Sequence, residues 1–218
     1  MTRRFADLSH TVEHGMVTYP GLPGPELSDH LSREASRSNY AAGTEFQIGR
    51  ISMVANTGTY LDTPFHRFEG GSDLAGIPLD AVAGLPLVVI DATGPPIGAA
   101  YLPAGDVAGA AVLFRTGWDR HFGTDSYGAG GHPHLTGEAV DALVARRPAL
   151  VGIDSVNIDD TVTGERPAHT GLLGAGIYVL EHLTGLDALD GSGWELFAVP
   201  VKVAGMGTFP VRAFAVAG

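Results

Sequence analysis

Short apolar runs separated by turn residues make up most of the chain, and this pattern predicts more strand than helix. Some runs alternate loosely between apolar and polar positions, and others are continuously apolar, as buried strands are. These runs predict strands over Phe46–Val54, Leu87–Asp91, Ala111–Phe114, Leu150–Asp154, Trp194–Ala204 and Val211–Val216.

Two helices are predicted between the strands. The clearer one covers Thr136–Arg147, where Val140 and Leu143 fall on one face. Thr136 is a suitable N-cap, because its side-chain oxygen can accept a hydrogen bond from a free N–H of the first turn. A shorter helix is predicted over Ile177–Leu183. Strands with helices between them indicate an α/β or an α+β domain.

The composition is that of a globular protein with a substantial core. Of the 218 residues, 44% are hydrophobic and 17% are charged. Neither a repeat nor a polar linker divides the sequence, so we expect one domain over residues 1–218.

Charge, cysteine content and hydropathy exclude several classes of function. The formal net charge of −11 provides no basic surface for a phosphate backbone, so nucleic acid is not expected as a partner. The absence of cysteine excludes disulfides, thiolate zinc sites and cysteine nucleophiles. No apolar run is long enough to cross a bilayer, and no apolar stretch follows Arg3 and Arg4 as in a signal peptide. We therefore expect a soluble, cytoplasmic protein with no membrane partner.

The first candidate site is the segment between residues 56 and 66. Asn56, Tyr60, Asp62 and His66 lie at even spacing and would project from one face of an extended chain. Fully extended, the segment would span roughly 36 Å, which is too long for one site. A glycine and a proline within it allow the chain to bend and gather these side chains. The alternative is a polar loop with a half-buried histidine.

Two further segments carry polar residues that invite explanation. His169 is followed, after an apolar stretch, by Glu181, and the two form either a buried pair or two solvated side chains. Residues 152–160 run from an apolar strand into an acidic loop, where Asp and Asn are most simply turn formers. His132 and His134 flank a proline and are interpreted as exposed loop residues.

Residues 56–66 read Asn-Thr-Gly-Thr-Tyr-Leu-Asp-Thr-Pro-Phe-His. This segment resembles the motif His-x-Gly-Thr-His-x-Asp-x-Pro-x-His of the cyclase family of metal-dependent hydrolases. The resemblance covers nearly the whole chain. Its other parts are residues 7–9, 19–21, 112–118, 152–154, 200–203 and 210–213, together with His169, Gly176, Ile177 and Glu181.

The resemblance implies a fold, a partner and an oligomeric state. The implied fold is α/β: a single compact domain with a strand-rich, barrel-like mixed sheet core and flanking helices, of the swivelling β/β/α type. The implied partner is a small-molecule substrate, and the implied state is a homo-oligomer, either a dimer or a tetramer.

The resemblance also implies the site residues. Asp62, His169 and Glu181 occupy positions of metal ligands, while Asn56 and Tyr60 stand where the family has histidines. An amide carbonyl and a protonated phenol are poorer ligands for zinc than imidazole is. A two-ion site is therefore not expected. One divalent ion, Zn²⁺ or Mn²⁺, and a metal-free pocket both remain open.

Three functions remain open at this point. The first is hydrolysis of a small amide, lactam or lactone, with His66 as general acid and base beside Tyr60 and Asn56 in the catalytic site. The second is a metal-free acid–base enzyme, such as a cyclase, dehydratase or isomerase. The third is a non-catalytic binder of small molecules. In each case we expect Asp62, His169 and Glu181 to converge, with the Tyr60 hydroxyl bonded to one of the two carboxylates.

Overall fold

A curled sheet of nine strands forms the centre of the protein. The computed structural model describes residues 2–218. The strands are β1 (Arg4–Asp7), β2 (Glu26–Leu31), β3 (Ile48–Ser52), β4 (Tyr60–Asp62), β5 (Ala83–Asp91), β6 (Ala111–Arg115), β7 (Leu150–Ile153), β8 (Tyr178–Glu181), β9 (Trp194–Phe197), β10 (Thr208–Pro210) and β11 (Phe214–Ala217). The order in the sheet is β1-β11-β9-β5-β6-β7-β8-β4-β10, and β2 and β3 form a separate ribbon.

Helices are few and short. They are α1 (Arg33–Ser36), α2 (Pro64–Arg67), α3 (Gly137–Arg146) and α4 (Pro167–Gly174). Strands β5 to β8 pair in parallel, whereas the outer strands pair antiparallel. The parallel strands require crossovers, which α3 supplies between β6 and β7 and α4 supplies between β7 and β8. The α/β class and the strand-rich mixed sheet are thus confirmed.

The sheet divides the core into two layers. Along β6, Ala111 and Leu113 pack into one apolar cluster, while Val112 and Phe114 pack into the other. This alternation follows from the period of two in a strand. Val140 of α3 lies in the second cluster, so the helices cover that face. No helix among residues 2–218 is long and apolar enough to cross a membrane.

The predicted helix around residue 140 is confirmed, with Thr136 as its N-cap accepting from Ala139 N at 3.2 Å. The predicted short helix over Ile177–Leu183 is wrong, because Tyr178–Glu181 is strand β8. All four of its residues are buried, so the strand shows no alternation that would distinguish it from a helix.

The other predicted strands differ from the observed ones mainly in length. The strand expected over Trp194–Ala204 ends at Phe197, ahead of the exposed Val199 and Val201. The one expected over Val211–Val216 begins only at Phe214. Strand β5, in contrast, starts earlier than predicted and runs through Pro86.

Candidate active site

Strand β4 places two of the candidate residues on one face of the sheet. Tyr60 lies opposite Glu181 in the antiparallel pairing of β4 with β8, and Asp62 follows two residues later. The Tyr60 hydroxyl donates to Glu181 Oε2 at 2.8 Å, with both side chains buried. The other carboxylate oxygen of Glu181 accepts from the backbone N–H of Ile158 at 2.7 Å. Glu181 is therefore held at both oxygens.

The turn after β4 brings His66 back towards Asp62. Helix α2 begins at Pro64, so His66 lies one helical turn beyond Asp62, and His66 Nδ1 is 3.8 Å from Asp62 Oδ1. Thr208 of β10 lies opposite Asp62. Its hydroxyl bonds Asp62 Oδ1 and lies 2.8 Å from His66 Nδ1. Residue 207 must be glycine, because a Cβ there would lie 2.3 Å from the backbone nitrogen of His66.

His169 enters the site from the first turn of α4. Asp159 accepts from the backbone N–H groups of Ala168 at 2.6 Å and His169 at 3.0 Å, and it lies 2.6 Å from His169 Nδ1. With Nδ1–H donating to Asp159, the other ring nitrogen, Nε2, points at the site. Nε2 is 3.8 Å from both Asp62 Oδ2 and Glu181 Oε1.

Three side chains form a group suited to one cation. Asp62, His66 and His169 each offer a ligand atom, and these atoms lie within 4.8 Å of one another. Asp62 Oδ2 is buried and has no hydrogen-bond partner among residues 2–218. A buried carboxylate oxygen without a partner is destabilising unless a cation or a donor satisfies it. One carboxylate and two imidazoles are ligands typical of Zn²⁺, and the residues therefore fit a divalent ion.

Burial changes the protonation of the groups around this cluster. It raises the pKa of Glu181 to about 7, although the positive charge of His169 opposes the change. Burial alone would lower the pKa of His169, but the carboxylates of Glu181, Asp159 and Asp62 outweigh it and raise that pKa well above its usual value. The pKa of Tyr60 is raised by burial and by the carboxylates of Glu181 and Asp62, so its hydroxyl keeps its proton.

Tyr60 also belongs to a buried chain of hydrogen bonds. Its hydroxyl oxygen is 3.1 Å from His182 Nε2, and His182 Nδ1 is 2.8 Å from the Tyr127 hydroxyl. Because Tyr60 donates to Glu181, His182 donates through Nε2–H to Tyr60 and accepts at Nδ1 from Tyr127. Burial lowers the pKa of His182 to about 3, in keeping with a neutral ring. Sequence reasoning missed His182 and Tyr127.

A cavity of about 160 Å³ opens onto these groups. Its lining residues are Asn56, Tyr60, His66, Arg67, Asn157, Arg166, His169 and Glu181. Asp62 is fully buried, within reach of both histidines. The structure thus brings together all six residues that the sequence selected. Arg67, Asn157 and Arg166 were not selected, and their types alone gave no signal.

The acidic loop after β7 contains more than turn formers. Asp154 is buried and accepts from Thr116 N, Thr116 Oγ1 and Gly117 N at 2.7, 2.6 and 2.9 Å, so it has a structural role. Asp159, in contrast, orients His169. The interpretation of His132 as an exposed loop residue is wrong, because it is buried and within 3.1 Å of Thr161 Oγ1.

Comparison with known proteins relates the whole chain to one group of hydrolases. The Cyclase family model matches residues 6–160. The kynurenine formamidase of Erythrobacter litoralis is 32% identical over 205 residues, covering 92% of this chain and 88% of that protein. The kynurenine formamidase of Bacillus cereus strain ATCC 14579 is 27% identical over 218 residues and 97% of both chains.

Solved structures give the same relationship. Isatin hydrolase A from Ralstonia solanacearum superposes with a TM-score of 0.82 at 27% identity, covering 99% of this chain and 92% of that one. Isatin hydrolase A from Labrenzia aggregata, solved with benzyl benzoate, gives 0.83 at 27% identity over 99% and 94% of the two chains. The chain belongs to the cyclase family of metal-dependent hydrolases.

Proposed function

We propose that this chain hydrolyses a small amide, lactam or lactone at the cavity beside Asp62, His66 and His169, with one divalent ion. Its relatives are kynurenine formamidases and isatin hydrolases, and the chain is a hydrolase of amide C–N bonds. The observation that carries the proposal is the buried, unpartnered Asp62 Oδ2 within reach of His169 Nε2.

Asp62 and His169 are the central ligands in this proposal. His66 is the third ligand that the geometry favours, and Glu181 is the one that the family resemblance favours. When bound, the ion lowers the pKa of a water molecule and polarises the substrate carbonyl. Asp159 fixes the His169 ring with Nε2 facing the site, and Tyr60 holds the Glu181 carboxylate.

His66 can serve either as a general acid and base or as a metal ligand. One ring nitrogen cannot do both, because a nitrogen bound to the ion cannot take up a proton. As a general acid and base it would take a proton from the attacking water and return it to the leaving nitrogen as the C–N bond breaks. Its ring borders the cavity and is partly exposed, so it can reach a substrate. As a ligand it would instead be tied to the ion.

Substitution of His66 by Gln separates these roles. If His66 is the general base, His66→Gln keeps its metal and its turnover falls by about 10²–10⁴-fold. If His66 is a ligand, the metal content of His66→Gln falls as well. Unchanged turnover and metal content in His66→Gln would remove His66 from both roles.

The proposed function is tested by metal content and activity together. Protein purified without chelator is expected to contain about one equivalent of Zn²⁺ or Mn²⁺ and to hydrolyse N-formylkynurenine or isatin. Chelation should abolish the activity and metal addition should restore it. Asp62→Asn should remove both metal and activity, whereas the equally buried Asp154→Asn should keep both.

A metal-free acid–base enzyme is the second candidate, and the Tyr60–Glu181 hydrogen bond favours it. This pair supplies a proton donor and an acceptor at the cavity wall without any ion. Turnover that persists in metal-free protein would select this candidate over the first.

We also propose that the chain forms a homo-oligomer and acts in the cytoplasm. The β2–β3 ribbon supports the first part, because Leu27 and Ile51 are paired across it and each has more than a third of its side chain exposed. Exposed apolar side chains that are neighbours on one face are typical of a protein interface. Sedimentation equilibrium and cell fractionation test the two parts separately.

A further inference from the structure

Two arginines stand where the candidate active site opens to the surface. Arg67 ends helix α2, and Arg166 immediately precedes α4. Both line the 160 Å³ cavity that holds Tyr60 and His169. Both also line an adjoining outer hollow of about 520 Å³. A ligand that extends from the inner cavity to the outer hollow would therefore pass Arg67 and Arg166.

Neither arginine is neutralised by the protein. Among residues 2–218, Arg4, Arg37, Arg115 and Arg212 form ion pairs with carboxylates, but Arg67 and Arg166 do not. Two positive charges without acidic partners at one opening favour an anionic ligand.

Arg166 is held in position rather than left mobile. Its Nη1 donates to the backbone carbonyls of Asp160, Thr163 and Glu165 at 3.0, 2.7 and 2.6 Å. Its Nε and Nη2 have no hydrogen-bond partner among the residues that the structure describes. This Nε–Nη2 edge is the part of a guanidinium that binds a carboxylate through two parallel hydrogen bonds.

Arg67 is restrained in a different way. Its Nε donates to Thr170 Oγ1 at 3.3 Å, and its guanidinium carbon lies 5.3 Å from the centre of the Phe68 ring. These contacts leave both of its Nη groups for a ligand. Glu165 also lines the outer hollow and would repel an anion there. The favoured place for a negative group is therefore beside the two arginines, at the border between the two spaces.

The sizes of the two spaces determine how a substrate would lie. The inner cavity, at about 160 Å³, is close to the volume that accommodates a benzene-sized molecule. It can take the reacting group and little more. The rest of a larger substrate must extend past Arg67 and Arg166 into the outer hollow.

We propose that Arg67 and Arg166 bind a carboxylate of the substrate at a distance from the bond that is hydrolysed. The substrate class is then an amide or cyclic amide that carries a remote carboxylate, rather than a neutral one. This inference rests on the proposed hydrolase function. It assigns specificity to two side chains that belong to neither the ligand set nor the acid–base group.

A matched pair of substrates tests the proposal. N-formylkynurenine carries a carboxylate, and its carboxamide has the same shape without that charge. We expect kcat/KM of the parent protein to be at least about tenfold higher for the acid, mainly through KM. Arg67→Gln and Arg166→Gln should remove this preference, because they lower kcat/KM for the acid much more than for the carboxamide. Arg33→Gln makes the same change of charge in α1, away from both spaces, and should keep the preference.

Arg166→Lys separates charge from loop structure, because lysine keeps the charge but cannot reproduce the three carbonyl contacts of Arg166. Part of the preference for the acid should survive in this variant. Equal kcat/KM for acid and carboxamide in the parent would overturn the proposal. An equal loss for both substrates in the two Gln variants would overturn it too, since it would indicate a structural role.

Binding of compounds that cannot be hydrolysed keeps this test independent of the proposed activity. By calorimetry, 3-phenylpropanoate should bind at least about tenfold more tightly than 3-phenylpropanamide, and added salt should reduce the difference. Arg67→Gln should abolish it. Equal binding of the two compounds contradicts the arginine site. A preference for the acid that survives both Gln variants contradicts it as well, and indicates a carboxylate bound at the metal cluster. If the parent hydrolyses nothing but binds as expected, only the proposed hydrolase function fails.

Discussion

Replacement of Asp159 by Asn should weaken metal binding although Asp159 is not itself a proposed ligand. Asp159 is fully buried and accepts three hydrogen bonds, from Ala168 N, His169 N and His169 Nδ1, at 2.6, 3.0 and 2.6 Å. Asparagine has one acceptor oxygen and presents an NH₂ group in place of the other. All three donors therefore lose a charged acceptor, and at least one of them is left with no acceptor.

The size of the effect follows from these contacts. Loss of a hydrogen bond to a buried charged group costs about 1.5–3 kcal/mol in the free energy of unfolding. The His169 ring also loses the partner that keeps its proton on Nδ1 and its Nε2 facing Asp62. Removal of such a partner from a metal-bound histidine typically weakens metal affinity about 10–100-fold. We expect both effects in Asp159→Asn.

Asp154→Asn is the matched control. Asp154 is buried, follows the same strand and also accepts three hydrogen bonds, but from Thr116 and Gly117 rather than from a site residue. Urea unfolding should show a comparable loss of stability in both variants. Zn²⁺ affinity is then measured by competition with a chromogenic chelator, without urea and at a pH where circular dichroism shows that both variants are folded. Only Asp159→Asn should bind Zn²⁺ more weakly than the parent. Equal Zn²⁺ affinity in Asp159→Asn and the parent, or equal weakening in the control, would refute the role of Asp159.

Three further predictions concern the same site. Thr208→Val removes the hydroxyl that bonds both Asp62 and His66, and it should lower turnover about tenfold or more with little loss of stability; unchanged turnover would contradict this positioning role. Asn56→His combined with Tyr60→His adds two imidazoles beside Glu181 and should bind Zn²⁺ or Mn²⁺ much more tightly than the parent; equal affinity would mean that these positions do not face the ion. The pKa of His182 is about 3 in the folded protein against a usual 6.5, so the unfolded state takes up its proton first as the pH falls. Protonation of His182 in the unfolded state should lower the free energy of unfolding by about 2 kcal/mol between pH 8 and pH 5. Urea unfolding at the two pH values should show a smaller decrease in His182→Asn than in the parent.

The parts of the fold that depend on residues close together in the sequence were predictable. Thr136 indicates the start of α3, because an N-cap side chain bonds a backbone N–H within the first turn. Asp62 and His66 are four residues apart, so a single bend is enough to bring them together. Strand β8 could not be told from a helix, since its buried residues do not alternate. Its parallel pairing with β7 and its antiparallel pairing with β4 fix it as a strand.

The residues that sequence reasoning missed act across long separations. Asp159 has the appearance of a turn former until α4 folds over it and presents His169. His182 and Tyr127 meet only when the loop after β6 packs beside β8. Arg166 looks like an ordinary charged loop residue, and its role follows from its place at the border of two cavities. Each of these signals depends on tertiary contacts, which a single sequence does not contain.

The hydrogen bonds around the cluster support the proposal that one ion binds here although two histidines are replaced. Asp159 is compensated by His169, and Glu181 by the Tyr60 hydroxyl and the Ile158 N–H. Tyr60 thus donates a hydrogen bond to the Glu181 carboxylate, whose charge an ion bound by histidines at positions 56 and 60 would otherwise balance. Asp62 receives the Thr208 hydroxyl at one oxygen, while its other oxygen has no donor among residues 2–218. The carboxylate oxygen that has no donor therefore belongs to Asp62, between the rings of His66 and His169, where the proposed divalent ion would find its ligands.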